Sequence, residues 1–210
     1  MRVITYFHHS PHKPYKEMVK NLGKSAKELG YDFNVYEVTP EDIGLSFSHN
    51  NYYVNCSSKP SAIRKALDDY REDIAWVDAD CIIKKNFDEA LINCDVAVTL
   101  RKIEERKCGD PYFSGYINTG VVFFRNSNNT RKFLDLWEKE IIKIRSDQRA
   151  MNIILLEHSP LEKYNEIITI DEIRIKILEA QIYNFFYFTE DLSQAKILHY
   201  KGLLFKEYYK

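Results

Sequence analysis

Four apolar residues, Ile74-Ala75-Trp76-Val77, run without a break into Asp78-Ala79-Asp80. A short run that is apolar at every position and closed by charge reads as a buried strand. Such strands belong to mostly parallel sheets covered by helices, and this one delivers two carboxylates at its carboxyl end. Open α/β sheets bind their ligands in the crevice at that end. Strand geometry turns alternate side chains to the same side, so Asp78 and Asp80 are expected to point together into the crevice. Two carboxylate oxygens suit a hard divalent ion, Mn²⁺ or Mg²⁺, and such an ion bridges the oxygens of a diphosphate. The competing reading is a loop that carries two solvated acids.

The rest of the chain alternates strand and helix. Residues 3–7 read as a strand, residues 15–29 as a helix with Met18, Leu22, Ala26 and Leu29 on one face and Gly30 just past its end, and Asp32–Val38 as a second strand. Residues 39–58 read as a polar loop with a short helix, and 61–70 as a helix leading to the Asp-bearing strand. A short helix at 88–92, a strand at 95–100 and a charged loop at 101–115 follow. Ile117–Phe124 reads as a strand interrupted by Asn118-Thr119-Gly120. Asn129 is expected to cap a helix with Phe133, Trp137, Ile141 and Ile144 on one face, and Asp147 to cap another over 148–157. Strands at Ile167–Ile170, 174–178 and 197–200 complete the chain. This order predicts one α/β domain over residues 1–210, with a mostly parallel central sheet and helices on both faces.

Composition removes several classes of function. The 210 residues suffice for one domain with a sizeable core. A formal net charge of -1 leaves no basic field to hold a nucleic-acid backbone. No apolar run approaches the roughly 18–20 residues needed to span a bilayer, so no transmembrane segment is expected. The chain begins as a strand, with no secretory leader. Cys56, Cys81, Cys94 and Cys108 form no Cys-x-x-Cys pair, which fits a reduced, cytoplasmic protein. The 15 Tyr and 12 Phe serve either packing or a surface that meets a polyhydroxyl ligand.

Four segments in order carry a family resemblance. They are the helix and strand from Lys59 through Arg64 to Asp80, then Tyr116-Ile-Asn118-Thr119-Gly120, then Ser146-Asp147-Gln148-Arg-Ala-Met-Asn152, and finally Ile197-Leu-His199-Tyr-Lys201-Gly202. Together they resemble the GT-A-fold glycosyltransferases of the retaining, family-8-like and galactosyltransferase-like group, which includes glycosyltransferase domains of chlorella viruses. The resemblance spans nearly the whole chain.

It implies a sugar transferase that takes a UDP-sugar donor and a carbohydrate, glycoprotein or other hydroxyl acceptor, with retention of anomeric configuration and Mn²⁺ or Mg²⁺ as cofactor. Residues 1–100 would form the nucleotide side, and residues 101–210 the acceptor side. A viral member would work in the host cytoplasm. Asp78, Asp80 and His199 would hold the metal, with Asp78 also touching the ribose. Thr5 and Tyr6 would lie at the nucleotide end, and Lys59, Arg64 and Lys201 would meet phosphate charge. Asn118, Thr119 and Gly202 would line the donor. Gln148 or Asp147 would lie near the anomeric carbon.

Two departures stand out. Leu203-Leu-Phe-Lys206 replaces the family's Lys-Pro-Trp, leaving Lys201 or Lys206 to contact the phosphates. Three histidines, His8, His9 and His12, occupy the turn after the first strand, as a solvated loop or a metal site.

Each residue also has a plain reading. His199 would be a satisfied strand-end histidine, Asp147 an N-cap and Asn118 a turn residue. A pyrophosphorylase or nucleotidyltransferase, or a non-catalytic nucleotide-sugar-binding module, remains an alternative. The first usually carries a Gly-rich signature, and this chain has 7 Gly. Intact Asp78, Asp80 and His199 speak against the second.

Overall fold

The structure, a computed structural model, describes residues 1–8, 15–38, 51–106, 115–186 and 191–200. Strands β1 (Arg2–His8), β2 (Asp32–Val38), β3 (Ile74–Val77), β5 (Val96–Leu100), β6 (Ile117–Phe124), β7 (Ile167–Ile170) and β8 (Ile173–Glu179) form one sheet in the order β2-β1-β3-β6-β5-β8-β7. β1 lies parallel to β2 and β3, and β5 parallel to β8; β6 runs antiparallel to its neighbours β3 and β5, and β7 to β8. A small second sheet pairs β4 (Cys81–Ile83) with β9 (Ile197–His199).

Helices cover both faces, as the sequence pattern predicts. α1 (Tyr15–Glu28) places Leu22 and Ala26 with Val3, Ala75, Val77, Ala97 and Phe123. On the opposite face lie α2 (Asn51–Tyr70), α4 (Asn128–Ile144) and α5 (Asp147–Leu156). They bring Ile63, Leu67, Phe133, Trp137 and Met151 together with Ile4, Trp76, Val98 and Val122. Successive β3 side chains thus enter opposite layers, which is why every position in that strand is apolar. Gly30 stops α1 in a left-handed conformation (φ 82°) that suits a residue without a side chain. No described helix is long and apolar enough to cross a membrane.

Several local expectations are corrected. α2 begins at Asn51, inside the stretch read as loop, and carries Pro60 within it. Proline forgoes a backbone bond at mid-helix, and the segment lacks an apolar stripe, so no sequence signal marked this start. Ser127, not Asn129, caps α4, accepting the Thr130 amide at 3.1 Å. Ser146, not Asp147, caps α5, accepting the Arg149 amide at 3.3 Å. β6 is continuous, but its ladder to β5 slips at the expected place: Val98 faces Val122, whereas Thr99 faces Asn118. The short β4, α3 (Ile103–Arg106) and α6 (Ala180–Tyr183) lay below the resolution of the sequence pattern.

Candidate active site

The site forms where β3 ends. The Asp78 amide donates to the Gly120 carbonyl at 2.7 Å, and the Cys81 amide to the Asp78 carbonyl at 3.1 Å. Residues 78–81 therefore form a turn rather than a continuing strand, and the two carboxylates diverge. Asp78 Oδ1 accepts from Trp76 Nε1 at 2.9 Å and meets Lys59 Nζ at 3.2 Å. Asp80 instead faces His199, with Oδ1 at 3.3 Å from Nε2. The simple alternation expected for a strand does not hold here, because the turn redirects Asp80.

Strand pairing explains how so distant a histidine arrives. Cys81 lies directly opposite His199 in the β4–β9 ladder, and the Tyr200 amide donates to the Asp80 carbonyl at 2.9 Å. His199 is also packed against the backbone of β6. A β-carbon added at Gly120 would lie 2.4 Å from His199 Cε1 and 2.7 Å from Nδ1. The glycine of the Asn-Thr-Gly segment thus makes room for the imidazole.

A second cluster surrounds Lys59, which projects from α2 and is buried. Its Nζ lies 2.7 Å from Asp147 Oδ2, 3.2 Å from Asp78 Oδ1 and 3.2 Å from the Thr119 carbonyl. Burial alone would pull the Lys59 ammonium below the usual lysine value. Asp147 and then Asp78 outweigh it and hold the group well above that value. Thr119 Oγ1 donates to Asp147 Oδ2 at 2.8 Å. Burial pushes the Asp78 carboxyl up, while Lys59 and His199 pull it back.

The structure thus brings together Lys59, Asp78, Asp80, Thr119, Asp147 and His199. Tyr6 joins them through Trp76, with ring centroids 5.0 Å apart. Thr5 is fully buried in β1, and its hydroxyl has no hydrogen-bond partner among the described residues. Arg64 does not join the cluster; its guanidinium meets Asp135 at 2.8 Å and Glu138 at 3.4 Å on α4. Gln148 lies against Gly115. Asn152 Oδ1 accepts from the Ile117 amide at 2.8 Å, and its Nδ2 donates to the Ile117 carbonyl at 3.2 Å, pinning the start of β6. Lys201, Gly202, Lys206, His9 and His12 lie outside the described residues, as does the His8 side chain.

Asn184, just after α6, was not foreseen. It is fully buried; its Oδ1 lies 2.9 Å from His199 Nδ1, while its Nδ2 donates to Asn118 Oδ1 and Thr99 Oγ1, both at 2.9 Å. One polar residue inside the apolar run Ile182–Phe186 was the available signal. Cys81 is the other newcomer, its sulfur, the Asp80 carboxylate and the His199 ring all within 4.8 Å of one another. Burial, then Asp80 and Asp78, raise the Cys81 thiol well above its ordinary pKa. A protonated thiol is a poor ligand for a hard ion. The carboxylate of Asp80 and Nε2 of His199 fit Mn²⁺ or Mg²⁺ far better; Asp78, turned to Trp76 and Lys59, lies outside this close group.

The sequence profile of the nucleotide-diphospho-sugar transferases matches residues 23–202. The lipopolysaccharide 1,2-glucosyltransferase of Escherichia coli is 27% identical over 63% of this chain, which spans only 43% of that relative's length. A solved glycosyltransferase involved in glycosylating the major capsid of PBCV-1 superposes with a TM-score of 0.61 at 14% identity, covering 95% of this chain and 93% of that one. The galactosyltransferase LgtC, solved with donor and acceptor sugar analogs, gives 0.51 at 12% identity over 97% of this chain and 88% of its own. The glycosyltransferase GlyE of Streptococcus pneumoniae TIGR4 gives 0.51 at 17% identity, covering 95% of this chain and 54% of that one. The GT-A architecture is therefore shared.

Proposed function

The chain belongs to the nucleotide-diphospho-sugar transferase family, and from that premise we propose that it transfers a sugar from a UDP-sugar to a hydroxyl of a glycan or glycoprotein, with retention of configuration and with Mn²⁺ or Mg²⁺. The observation that carries this reading is the approach of His199 Nε2 to Asp80 Oδ1 at 3.3 Å. It puts a nitrogen and a carboxylate donor together at the carboxyl end of the sheet, beside Asp78. Among the described residues, three carboxylates, from Asp78, Asp80 and Asp147, share this region with one ammonium, that of Lys59. A divalent cation offsets that imbalance. When bound, it would stabilise the negative charge that develops on the departing diphosphate.

The remaining roles belong to the chain's own side chains. Asp80, Asp78 and His199 hold the cation. Asp147 and Thr119 fix Lys59, whose ammonium then steadies Asp78 at the donor end. Gln148, at the first turn of α5 beside residue 115, is the group proposed to face the anomeric carbon. In the transfer, the donor's C1–O bond breaks and its electron pair leaves with the diphosphate. The acceptor oxygen bonds to C1 on the same face, and its proton passes to the departing phosphate. Lys201 and Gly202 complete the donor pocket in this reading. The relative from E. coli, a lipopolysaccharide 1,2-glucosyltransferase, supports a glycan acceptor.

The test is a thermal-shift series with UDP-, GDP-, ADP- and CMP-sugars, each with and without Mn²⁺, followed by product analysis for anomeric configuration. A ligand that binds the folded state raises its melting temperature. Stabilisation by UDP-sugars that requires Mn²⁺ is the expected result. Equal stabilisation in excess chelator, or a preference for GDP-sugars, would overturn the metal or the donor assignment respectively.

A further inference from the structure

We propose that Asn184 is a positioning residue that holds a proton on His199 Nδ1 and so reserves Nε2, the nitrogen facing Asp80, for a metal ion. The reasoning starts from a group whose role is not in question. The backbone amide of Gly120 can only donate, and its partner is Asn118 Oδ1 at 2.9 Å. That contact identifies the Asn118 atom as the amide oxygen. The Asn184 atom lying 2.9 Å from the same oxygen must therefore be its amino group, Nδ2.

A second contact agrees. Nδ2 also lies 2.9 Å from Thr99 Oγ1, and the Thr99 hydroxyl gives its own proton to the Asn118 carbonyl at 3.0 Å. Thr99 Oγ1 is thus free to accept. With Nδ2 committed twice, the atom that Asn184 turns to His199 is Oδ1, 2.9 Å from Nδ1. An amide oxygen only accepts, so Nδ1 carries the hydrogen. In a neutral imidazole, Nε2 is then the acceptor nitrogen.

Burial makes this relay decisive. Thr99 and Asn184 are fully buried, and Asn118 and His199 are each 5% exposed. No bulk water can substitute for a misdirected amide, and a wrong tautomer would leave Nδ1 and Asn184 Oδ1 as two facing acceptors. Free histidine favours the other tautomer, so the protein must impose this one. Residues that hold the second nitrogen of a ligating histidine commonly change metal affinity about 10- to 100-fold when removed. The functional meaning of the relay rests on the proposed role of His199 as a metal ligand; the tautomer itself does not.

The experiment uses the full chain labelled with ¹⁵N-histidine, free of metal, with His199→Gln to identify the His199 signals. The unsubstituted protein should show a pyrrole-type Nδ1, whether or not Nε2 carries a proton opposite Asp80. Asn184→Ala should lose that preference and weaken Mn²⁺ binding, read from the electron paramagnetic resonance of Mn²⁺ added alone, about 10- to 100-fold. Asn184→Asp keeps an acceptor opposite Nδ1, so it should hold the tautomer and bind Mn²⁺ more tightly than the alanine variant does. A His199 Nδ1 that carries no proton in the unsubstituted protein overturns the proposal. So does unchanged Mn²⁺ affinity in Asn184→Ala when Asp80→Asn abolishes it. If the parent shows the assigned tautomer yet binds no Mn²⁺, the relay stands and the metal reading fails.

Discussion

Lys59 Nζ lies 2.7 Å from Asp147 Oδ2, and both side chains are buried, at 9% and 5% exposure. This pair joins the middle of α2 to the first turn of α5 directly behind the carboxylates. Removing one member of a buried ion pair typically costs about 3–5 kcal/mol, because the other charge stays behind. Asp78 still faces Lys59 at 3.2 Å in Asp147→Asn, so the fold should lose part of that, about 2 kcal/mol, in urea unfolding. Ser146→Ala, which removes only the helix cap, should cost about 1 kcal/mol. Equal costs for the two would mean that the ion pair contributes little.

Gly120 gives a sharper test of how His199 is seated. A β-carbon there would lie 2.4 Å from His199 Cε1, so Gly120→Ala must displace the imidazole from its seat beside Asp80. Overpacking of this kind costs about 1–3 kcal/mol, and Mn²⁺ affinity should fall at least about tenfold. Gly23→Ala is the control. Its β-carbon would meet the Phe33 ring at 2.6 Å and not His199, so it should lower stability and leave Mn²⁺ binding alone. Equal Mn²⁺ binding in both variants would refute the seating argument.

Asp78 and Asp80 should separate experimentally, since the turn sends them to different partners. Asp80→Asn removes charge beside His199 and should weaken Mn²⁺ binding and turnover together. Asp78→Asn removes one of the two carboxylates that face Lys59. It should therefore lower melting temperature as well as donor affinity. Isothermal titration with Mn²⁺ and thermal melts on both variants distinguish these outcomes; identical behaviour would show that the two acids act as one.

Most of the fold was legible because its signals are local. The apolar run of β3, the stripe on α1 and the glycine at its end are each contained in one segment. The carboxylates and His199 were legible through their motifs. Asn184 was not, and Gly120 was legible as part of its motif but not in its role beside His199, because both matter for what they touch across the sheet rather than for their neighbours along the chain. Asp147 shows both sides. Its place at the start of α5 suggested a cap, yet Ser146 takes that bond, which frees Asp147 to turn inward to Lys59.

Far from the carboxylates, Glu89 offers a pH test. Burial would raise its carboxyl, but hydrogen bonds from Lys196 and Tyr183 more than compensate and hold it below the ordinary value of 4.5. A folded-state pKa below the unfolded one gives stability that is present above the unfolded value and lost as pH falls through the folded one. Glu89→Gln should therefore destabilise the protein at neutral pH, by a modest amount since the side chain is 40% exposed. The gap to the parent should close as pH drops below about 4.5. A gap that stays constant to pH 3 would assign the effect to packing.

The two-strand ladder of β4 and β9 also orders events in time. A chain made from its amino end exposes Asp80 long before His199 exists, and all seven strands of the main sheet precede β9. The large sheet can collapse on the ribosome, but contacts between distant segments close slowly. Under the proposed metal role, ion capture would be a late, checkpoint-like step: a nascent or prematurely terminated chain that lacks residues 197–199 would carry the acids yet not the completed grip, and would stay inert toward donor until β9 had docked.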